Sequence, residues 1–311
     1  MDHLGGILAF VRAAEARSFT KAASQLGMTP SGVSKAISRL EAQFEVRLLH
    51  RTSRSVTMTP EGMAFYERCR QIMTDLEDAE QLLSQAREVP RGTLRITLPL
   101  SIGRLHLARL MPEFALRYPE ISVEISITDR IVDLIEEGYD VAVRTGKPPD
   151  TRLIARRLAL GTLTTCAAPA YLKRHGTPRT PEDLVEHNCI PFVVPSTGRA
   201  QEWKFHRDGK RFGIRVSGNL MLDHAEALVE AALAGTALIQ IASYVTAPAL
   251  GNGGLKAVLT SFQVESPAIW VIYPQNRHLM PRVRAFVDFL LEWAQGARLV
   301  GGESRANSRS A

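Results

Sequence analysis

Ser18-Phe19-Thr20-Lys21-Ala22-Ala23-Ser24-Gln25-Leu26-Gly27-Met28-Thr29-Pro30-Ser31-Gly32-Val33-Ser34-Lys35-Ala36-Ile37-Ser38-Arg39-Leu40 is the stretch that decides the fold. Ser18 is placed to cap a helix over Phe19 to Leu26, in which Ala22 and Ala23 are small enough for close helix contact. Gly27 supplies a tight turn. Thr29-Pro30 restarts a helix with a hydroxyl at the N-cap and a proline at the first helical position. Val33, Ile37 and Leu40 form its apolar stripe. Two short helices joined by a glycine-containing turn make a helix-turn-helix. Off the stripe, the second helix offers Ser31, Gly32, Ser34, Lys35, Ser38 and Arg39. Small hydroxyl residues near its start can approach base edges in a major groove, and Lys35 and Arg39 can reach phosphate or guanine. An ordinary helical hairpin with a solvated polar face is the competing reading.

Upstream, Leu4, Ile7, Leu8 and Val11 recur at helical spacing and predict a first helix with one apolar face. Gly5 and Gly6 weaken its start by roughly 1 kcal/mol each relative to alanine. Downstream, Val46-Arg47-Leu48-Leu49 leads into His50-Arg51-Thr52-Ser53-Arg54-Ser55-Val56-Thr57-Met58, an alternating segment with a basic, hydroxyl-rich tip. A small hairpin after a helix-turn-helix is a wing, and its arginines suit backbone or minor-groove contacts.

The charge supports DNA only when it is located. The chain of 311 residues carries a formal +6. From Arg17 to Thr59, seven cations stand against Glu41 and Glu45, a local +5. Residues 60–89 carry −4, so Met1 to Pro90 is neutral overall and the whole +6 lies beyond it. The basic remainder tilts the expectation towards an anionic effector.

Thr59-Pro60-Glu61 repeats the cap-proline-acid start of a helix. From there Phe65, Cys69, Ile72, Leu76, Ala79, Leu83 and Ala86 alternate spacings of four and three, a heptad seam that predicts pairing of two chains. A helix packed on its own domain is the alternative. Pairing would carry two DNA-reading heads, as a symmetric operator requires.

The ordered run from Ser18 to Glu41, with Val46-Arg47-Leu48-Leu49-His50-Arg51-Thr52 and Thr59-Pro60-Glu61-Gly62, resembles the winged helix-turn-helix of LysR-type transcriptional regulators. The resemblance runs to about residue 296. Arg144-Thr145-Gly146 and Pro169-Ala170-Tyr171-Leu172 are similar to the subgroup that includes regulators of the malate-dehydrogenase and adhesion type. It implies an α/β protein with an N-terminal all-α-plus-wing domain (1–59) and a long dimerising linker helix (60–89). An effector-binding domain (90–296) resembling a periplasmic solute-binding protein follows. Its two α/β subdomains are expected at about 90–161 with 267–296, and at about 162–266. Residues 297–311, low in apolar side chains, are expected to be disordered. The DNA-contacting set is expected to be Ser18, Thr20, Lys21, Thr29, Pro30, Ser31, Gly32, Ser34, Lys35, Ser38, Arg39, Arg51, Thr52 and Arg54. A homodimer follows from the seam, and a tetramer from the resemblance alone.

Val89-Pro90-Arg91-Gly92 breaks the linker. Thr93 to Leu98 reads as a strand, and Ile102 to Tyr118 as a helix that Pro112 should kink or split. Ile121 to Ile127 is a strand, Ile131 to Glu137 a helix and Tyr139 to Val143 a strand, the pattern of a mainly parallel sheet. Further on come a strand from Thr162 to Ala167 and short helices around Ala170 and Glu182. Trp203 to Val216 reads as a hairpin turning at Asp208-Gly209, followed by a helix from Asp223 to Ala234 and a strand from Ala237 to Ile241. A returning strand from Ala268 to Tyr273 and a closing helix from Pro281 to Trp293 complete the domain. Crossings near 162 and 266 predict a hinged cleft suited to a small ligand.

Ser101 stands between a strand and a helix, where a hydroxyl and free backbone N–H groups suit a carboxylate. Ile102 adjoins it. Arg144 and Thr145 follow a strand at the end where α/β sheets bind ligands. By similarity, the segment from Phe192 to Thr197 and Asp223 line the other wall. A plain helix cap at Ser101 and a surface ion pair at Arg144 are the competing readings.

Hydrophobic residues at 45% and charged ones at 23% exclude a disordered chain, a collagen-like repeat and a membrane protein. Cys69, Cys166 and Cys189 are too few and scattered for a disulfide framework and, with no basic-then-apolar leader, suggest the cytoplasm. A redox role for Cys166 and Cys189 is outweighed by inert burial. His187-Asn188-Cys189 lacks a second pair at metal-ligand spacing. There is no Walker loop and no Gly-x-Ser-x-Gly elbow, so neither catalysis, a metal nor a cofactor is expected. The reading is a DNA-binding regulator responding to a small-molecule effector. A ligand-independent DNA-architectural protein is the first rival; an enzyme or binding protein using the α/β cleft is the second.

Overall fold

The computed structural model describes residues 3–51, 56–83, 89–146, 152–195, 197–275, 277 and 280–296. The chain divides into two compact units, meeting at Val89 and Pro90.

The first unit contains α1 (His3–Ala16), α2 (Phe19–Leu26), α3 (Pro30–Phe44), the wing strands β1 (Leu49–Arg51) and β2 (Val56–Met58), and α4 (Pro60–Leu83). Each boundary has a local cause. Ser18 Oγ accepts the Lys21 N–H at 3.3 Å, and Gly27 closes α2 in the left-handed region at φ 61°. Thr29 Oγ1 accepts the Gly32 N–H at 3.1 Å and Pro30 opens α3. Phe10, Ala13, Ala22, Val33, Ile37, Leu40 and Leu48 form the core.

The first helix buries only part of the stripe that its large residues suggest: Val11 is in the core and Ile7 packs against it. Leu4 is 50% exposed, and the buried residues are Gly6, Ala9, Phe10, Val11, Ala13 and Ala14. The cause is close approach to α3: a Cβ on Gly6 would lie 3.4 Å from the Ala36 carbonyl oxygen and 3.6 Å from Leu40 Cβ. The heptad seam of α4 also divides. Phe65 packs 5.6 Å from Phe10 and 5.9 Å from Phe44, ring centre to ring centre, and Cys69 is buried in the unit's own core. Ile72 and Leu76 are exposed, while the side chains of Ala79 and Leu83 lie outside the described residues.

The second unit runs through β3 (Gly92–Leu98), α5 (Leu100–Ile102), a π-helical turn (Gly103–Leu107), α6 (Ala108–Arg117), β4 (Ile121–Ile127), β5 (Val141–Thr145) and β6 (Leu153–Ala159). It continues through β7 (Leu163–Ala167), α7 (Pro169–His175), a 3-10 turn (Pro181–Glu186), β8 (Val193–Val194), β9 (Arg199–Ala200), β10 (Trp203–Arg207) and β11 (Lys210–Ile214). Then follow α8 (Ala225–Leu233), β12 (Ile239–Ala242), α9 (Ser243–Gly251), β13 (Lys256–Val258), a 3-10 turn (Thr260–Phe262), β14 (Ile269–Pro274) and α10 (Pro281–Gly296).

One sheet has the order β4-β3-β5-β14-β6 and another the order β12-β7-β13. The first is mixed, which corrects the mainly parallel expectation: β3 pairs parallel with β4 and β5, but β14 returns antiparallel between β5 and β6. Phe114 and α10's Val283, Phe286 and Leu290 cover it. In the smaller sheet β7 is antiparallel to both neighbours and buried along its length.

Two expected elements differ. In place of a helix over 131–137 there is a single turn at 134–138, because Asp133 Oδ1 accepts the N–H groups of Ile135 at 2.9 Å and Glu136 at 3.0 Å and Gly138 ends it at φ 67°. Pro112 does not split its helix, which runs unbroken from Ala108 to Arg117; the break in α-helical pattern comes earlier, in the π-helical stretch. The chain passes between the two sheets as two adjacent segments: the Ser266 N–H donates to the Gly161 carbonyl and the Leu163 N–H to the Val264 carbonyl, both at 2.8 Å.

Candidate DNA-reading surface and effector cleft

On α3, Thr29, Pro30, Ser31, Lys35, Ser38 and Arg39 are exposed, while Gly32 and Ser34 are half-buried. Thr20 and Lys21 are exposed on α2. Two of the expected hydroxyls have structural duties as well: Ser18 caps α2, and Thr29 Oγ1 lies 3.1 Å from Ser31 Oγ while capping α3. The Arg51 side chain, Thr52 and Arg54 fall outside the described residues.

Residues away from the polar face hold this surface together. Glu41 Oε1 accepts the N–H groups of Leu48 at 2.9 Å and Leu49 at 3.1 Å, joining α3 to the start of the wing. Thr59 Oγ1 donates to the Arg47 carbonyl at 2.7 Å and accepts the Gly62 N–H at 2.8 Å, joining the wing to α4. Sequence reasoning counted Glu41 only as an anion; no spacing rule links it to an amide seven residues on.

In the second unit a cavity of about 540 Å³ is lined from both sheets, by Ala142, Arg144 and Ile272 of one and Leu163, Ile241 and Ala242 of the other. Ser101, Ile102, Arg144, Thr145, Phe192 and Asp223 all line it. Thr197 does not: it sits in the turn after β8, its N–H donating to the Val194 carbonyl at 3.1 Å. Asp129, Arg130, Gln201 and Tyr244 line the cavity without having been expected.

Arg144 donates to the Val143 carbonyl and to Thr97 Oγ1, each at 2.8 Å. Among the described residues no carboxylate forms an ion pair with it. Burial lowers its pKa from the ordinary value, yet a guanidinium stays protonated at neutral pH. Asp129 Oδ1 accepts the Leu100 N–H at 2.9 Å, so the protein's own carboxylate occupies the helix-start amide that the sequence offers to a ligand. Arg130 is paired with Glu137. Burial, then Asp129, pushes the Tyr244 phenol up to about 12, leaving it a protonated donor. His106, in the π-helical turn, donates from Nε2 to the Tyr244 carbonyl at 2.9 Å, tying that turn to α9.

Other chemistries find little to work with. Burial pushes the Cys166 and Cys189 thiols up to about 12, away from thiolate reactivity. Among the described residues no group of three or more His, Cys, Asp or Glu could hold a metal. Among the same residues no helix is long and apolar enough to cross a membrane.

Residues 87–295 match the LysR substrate binding domain, and residues 4–63 the bacterial regulatory helix-turn-helix protein, lysR family. The chain is 36% identical over 302 residues to a putative transcriptional regulator of Pseudomonas aeruginosa, covering 96% of this chain and 98% of that one. It is 33% identical over 290 residues to an Escherichia coli protein called the uncharacterized HTH-type transcriptional regulator YhjC, covering 93% and 97%. Among solved structures, CrgA, a LysR-type transcriptional regulator from Neisseria meningitidis, matches with TM-score 0.60 and 29% identity over 93% of this chain and 98% of that chain. These relatives are transcriptional regulators, not enzymes. With a helix-turn-helix for DNA at one end and an effector-binding domain at the other, the chain belongs to the LysR family of transcriptional regulators.

Proposed function

We propose that the protein binds a two-fold-symmetric operator as a homo-oligomer in the cytoplasm, and that a small molecule in the cleft of its second unit sets its DNA affinity. Members of the family bind DNA and small-molecule effectors and form oligomers. The exposed start of α3 enters the major groove: Ser31 and Ser34 read bases, while Lys35, Arg39 and Lys21 reach phosphate. Arg51 and Arg54 extend the contact from the wing. Two chains pair through the outer part of α4, where the exposed Ile72 and Leu76 continue towards Ala79 and Leu83. Two such dimers make a tetramer.

The observation that carries the effector reading is Arg144, a guanidinium facing the cavity with no carboxylate ion-paired to it among the described residues. A ligand carboxylate there meets the Ser101 hydroxyl and Arg144 together. The ligand changes DNA binding only by preferring one arrangement of the assembly over another.

The test is a footprint on DNA beside the protein's own gene, with random duplex as competitor, at two salt concentrations. Protection of a two-fold site with competition only by specific DNA is expected. Equal binding to random duplex overturns the proposal.

A further inference from the structure

We infer that the cleft takes a zwitterion: an amino compound whose carboxylate lies on Arg144, whose ammonium lies on Asp223, and whose body between them is apolar. The inference rests on the cleft being the effector site. Among the described residues four charged side chains line the cavity: Asp129, Arg130, Arg144 and Asp223. Two are already engaged, Arg130 with Glu137 and Asp129 with the Leu100 amide.

The remaining two face the cavity from different subdomains. Arg144 is on β5 and Asp223 lies ahead of α8. Among the described residues neither has an ion-pair partner. A ligand that draws the walls together removes water from both charges, and a desolvated charge needs a partner. A plain carboxylate answers Arg144 but places its own negative charge in a cavity with Asp223 and Asp129 and leaves Asp223 unpaired. A plain amine leaves Arg144 unpaired. Only a ligand bearing both signs answers both walls.

The neutral lining can serve either charge: the Ser101 and Tyr244 hydroxyls can donate to a carboxylate, and the Gln201 amide oxygen can accept from an ammonium. Ile102, Phe192 and Val245 present apolar surface to the body. A volume of about 540 Å³ admits a large apolar amino acid or a dipeptide, which share this chemistry.

Calorimetric titration of the full-length protein tests the assignment with L-leucine, L-phenylalanine and L-leucyl-L-phenylalanine, each also as its N-acetyl and its C-amide derivative. At least one free zwitterion is expected to bind, and whether an amino acid or the dipeptide binds tighter separates the two sources. N-acetylation should weaken binding by about tenfold in the wild type, and Asp223→Asn should remove most of that difference. C-amidation should weaken it similarly, and Arg144→Gln should remove that second difference. Thermal unfolding without ligand confirms that both variants fold. An N-acetyl acid that binds as tightly as its parent, or a preference unmoved by Asp223→Asn, overturns the zwitterion and leaves the cleft as a site for simple carboxylates. No binding by any of these compounds also overturns it, while operator binding is judged separately by the footprint.

Discussion

Glu41, on the recognition helix, holds the main chain of Leu48 at the root of the wing: its Oε1 accepts the Leu48 N–H at 2.9 Å, and the Leu49 N–H at 3.1 Å. One carboxylate oxygen thereby sets the wing's position relative to α3. Replacing Glu41 by Ala leaves two half-buried amides without their acceptor and should cost about 1–3 kcal/mol of stability. Glu41→Gln keeps an amide oxygen there and should recover most of the loss. Denaturant titration of the two variants checks the order, and equal losses would refute it.

Recognition and attraction should separate on α3. Arg39→Gln should weaken binding to all duplexes and flatten the salt dependence by about one unit of slope. Ser34→Ala should change base preference with the salt slope unaltered. Binding measured across a salt series on operator and scrambled DNA distinguishes the two; identical behaviour of both variants would remove the assignment.

Asp140 is buried directly ahead of β5, its Oδ1 3.6 Å from both Arg277 Nε and Arg282 Nη2 and its Oδ2 accepting the Arg95 N–H at 2.9 Å. Asp140→Ala removes a buried carboxylate from beside two buried guanidinium groups and should destabilise the second unit by roughly 3–5 kcal/mol. Asp140→Asn, which keeps an acceptor for Arg95, should lose less. Urea unfolding followed by tryptophan fluorescence reads both, since Trp203, Trp270 and Trp293 all lie in that unit.

The buried thiols give stability a pH dependence of known sign. Cys166 and Cys189 are held near 12 against an ordinary 9.0, so above pH 9 the unfolded chain loses protons that the folded chain keeps. Their contribution is fully present below pH 9 and is lost as pH rises towards 12. Melting temperature should fall across that window less steeply in a Cys166→Ala/Cys189→Ala variant. Native protein at pH 8 should label with a thiol reagent only slowly, and rapid stoichiometric labelling would contradict the burial.

The helix-turn-helix was legible because its determinants are local: Ser18, Gly27 and Thr29 act within four residues of themselves, and Val33, Ile37 and Leu40 share one face by period alone. The cleft was legible in outline, since strand ends and their following residues are readable in sequence, and Ser101, Arg144 and Asp223 do line one cavity. What escaped depends on distance. The Leu100 amide is taken by Asp129, twenty-nine residues on, and the mixed character of the main sheet arises only when β14 returns between β5 and β6. The helix expected over 131–137 failed for another reason: Asp133 offers its own backbone an alternative to a helix. On α1, the bulk of Leu4 misled; beside Phe10 and Val11 the helix comes close to α3 at Gly6.

Gly62 sits so near the root of the wing that a Cβ on it would lie 2.0 Å from the Leu48 carbonyl oxygen, and Thr59 clamps the same junction through Arg47. No slack is left at that joint. The long helix and the wing therefore turn as one crank. A rotation of α4 is passed to the root of the wing through Leu48 and Arg47 instead of being absorbed between them.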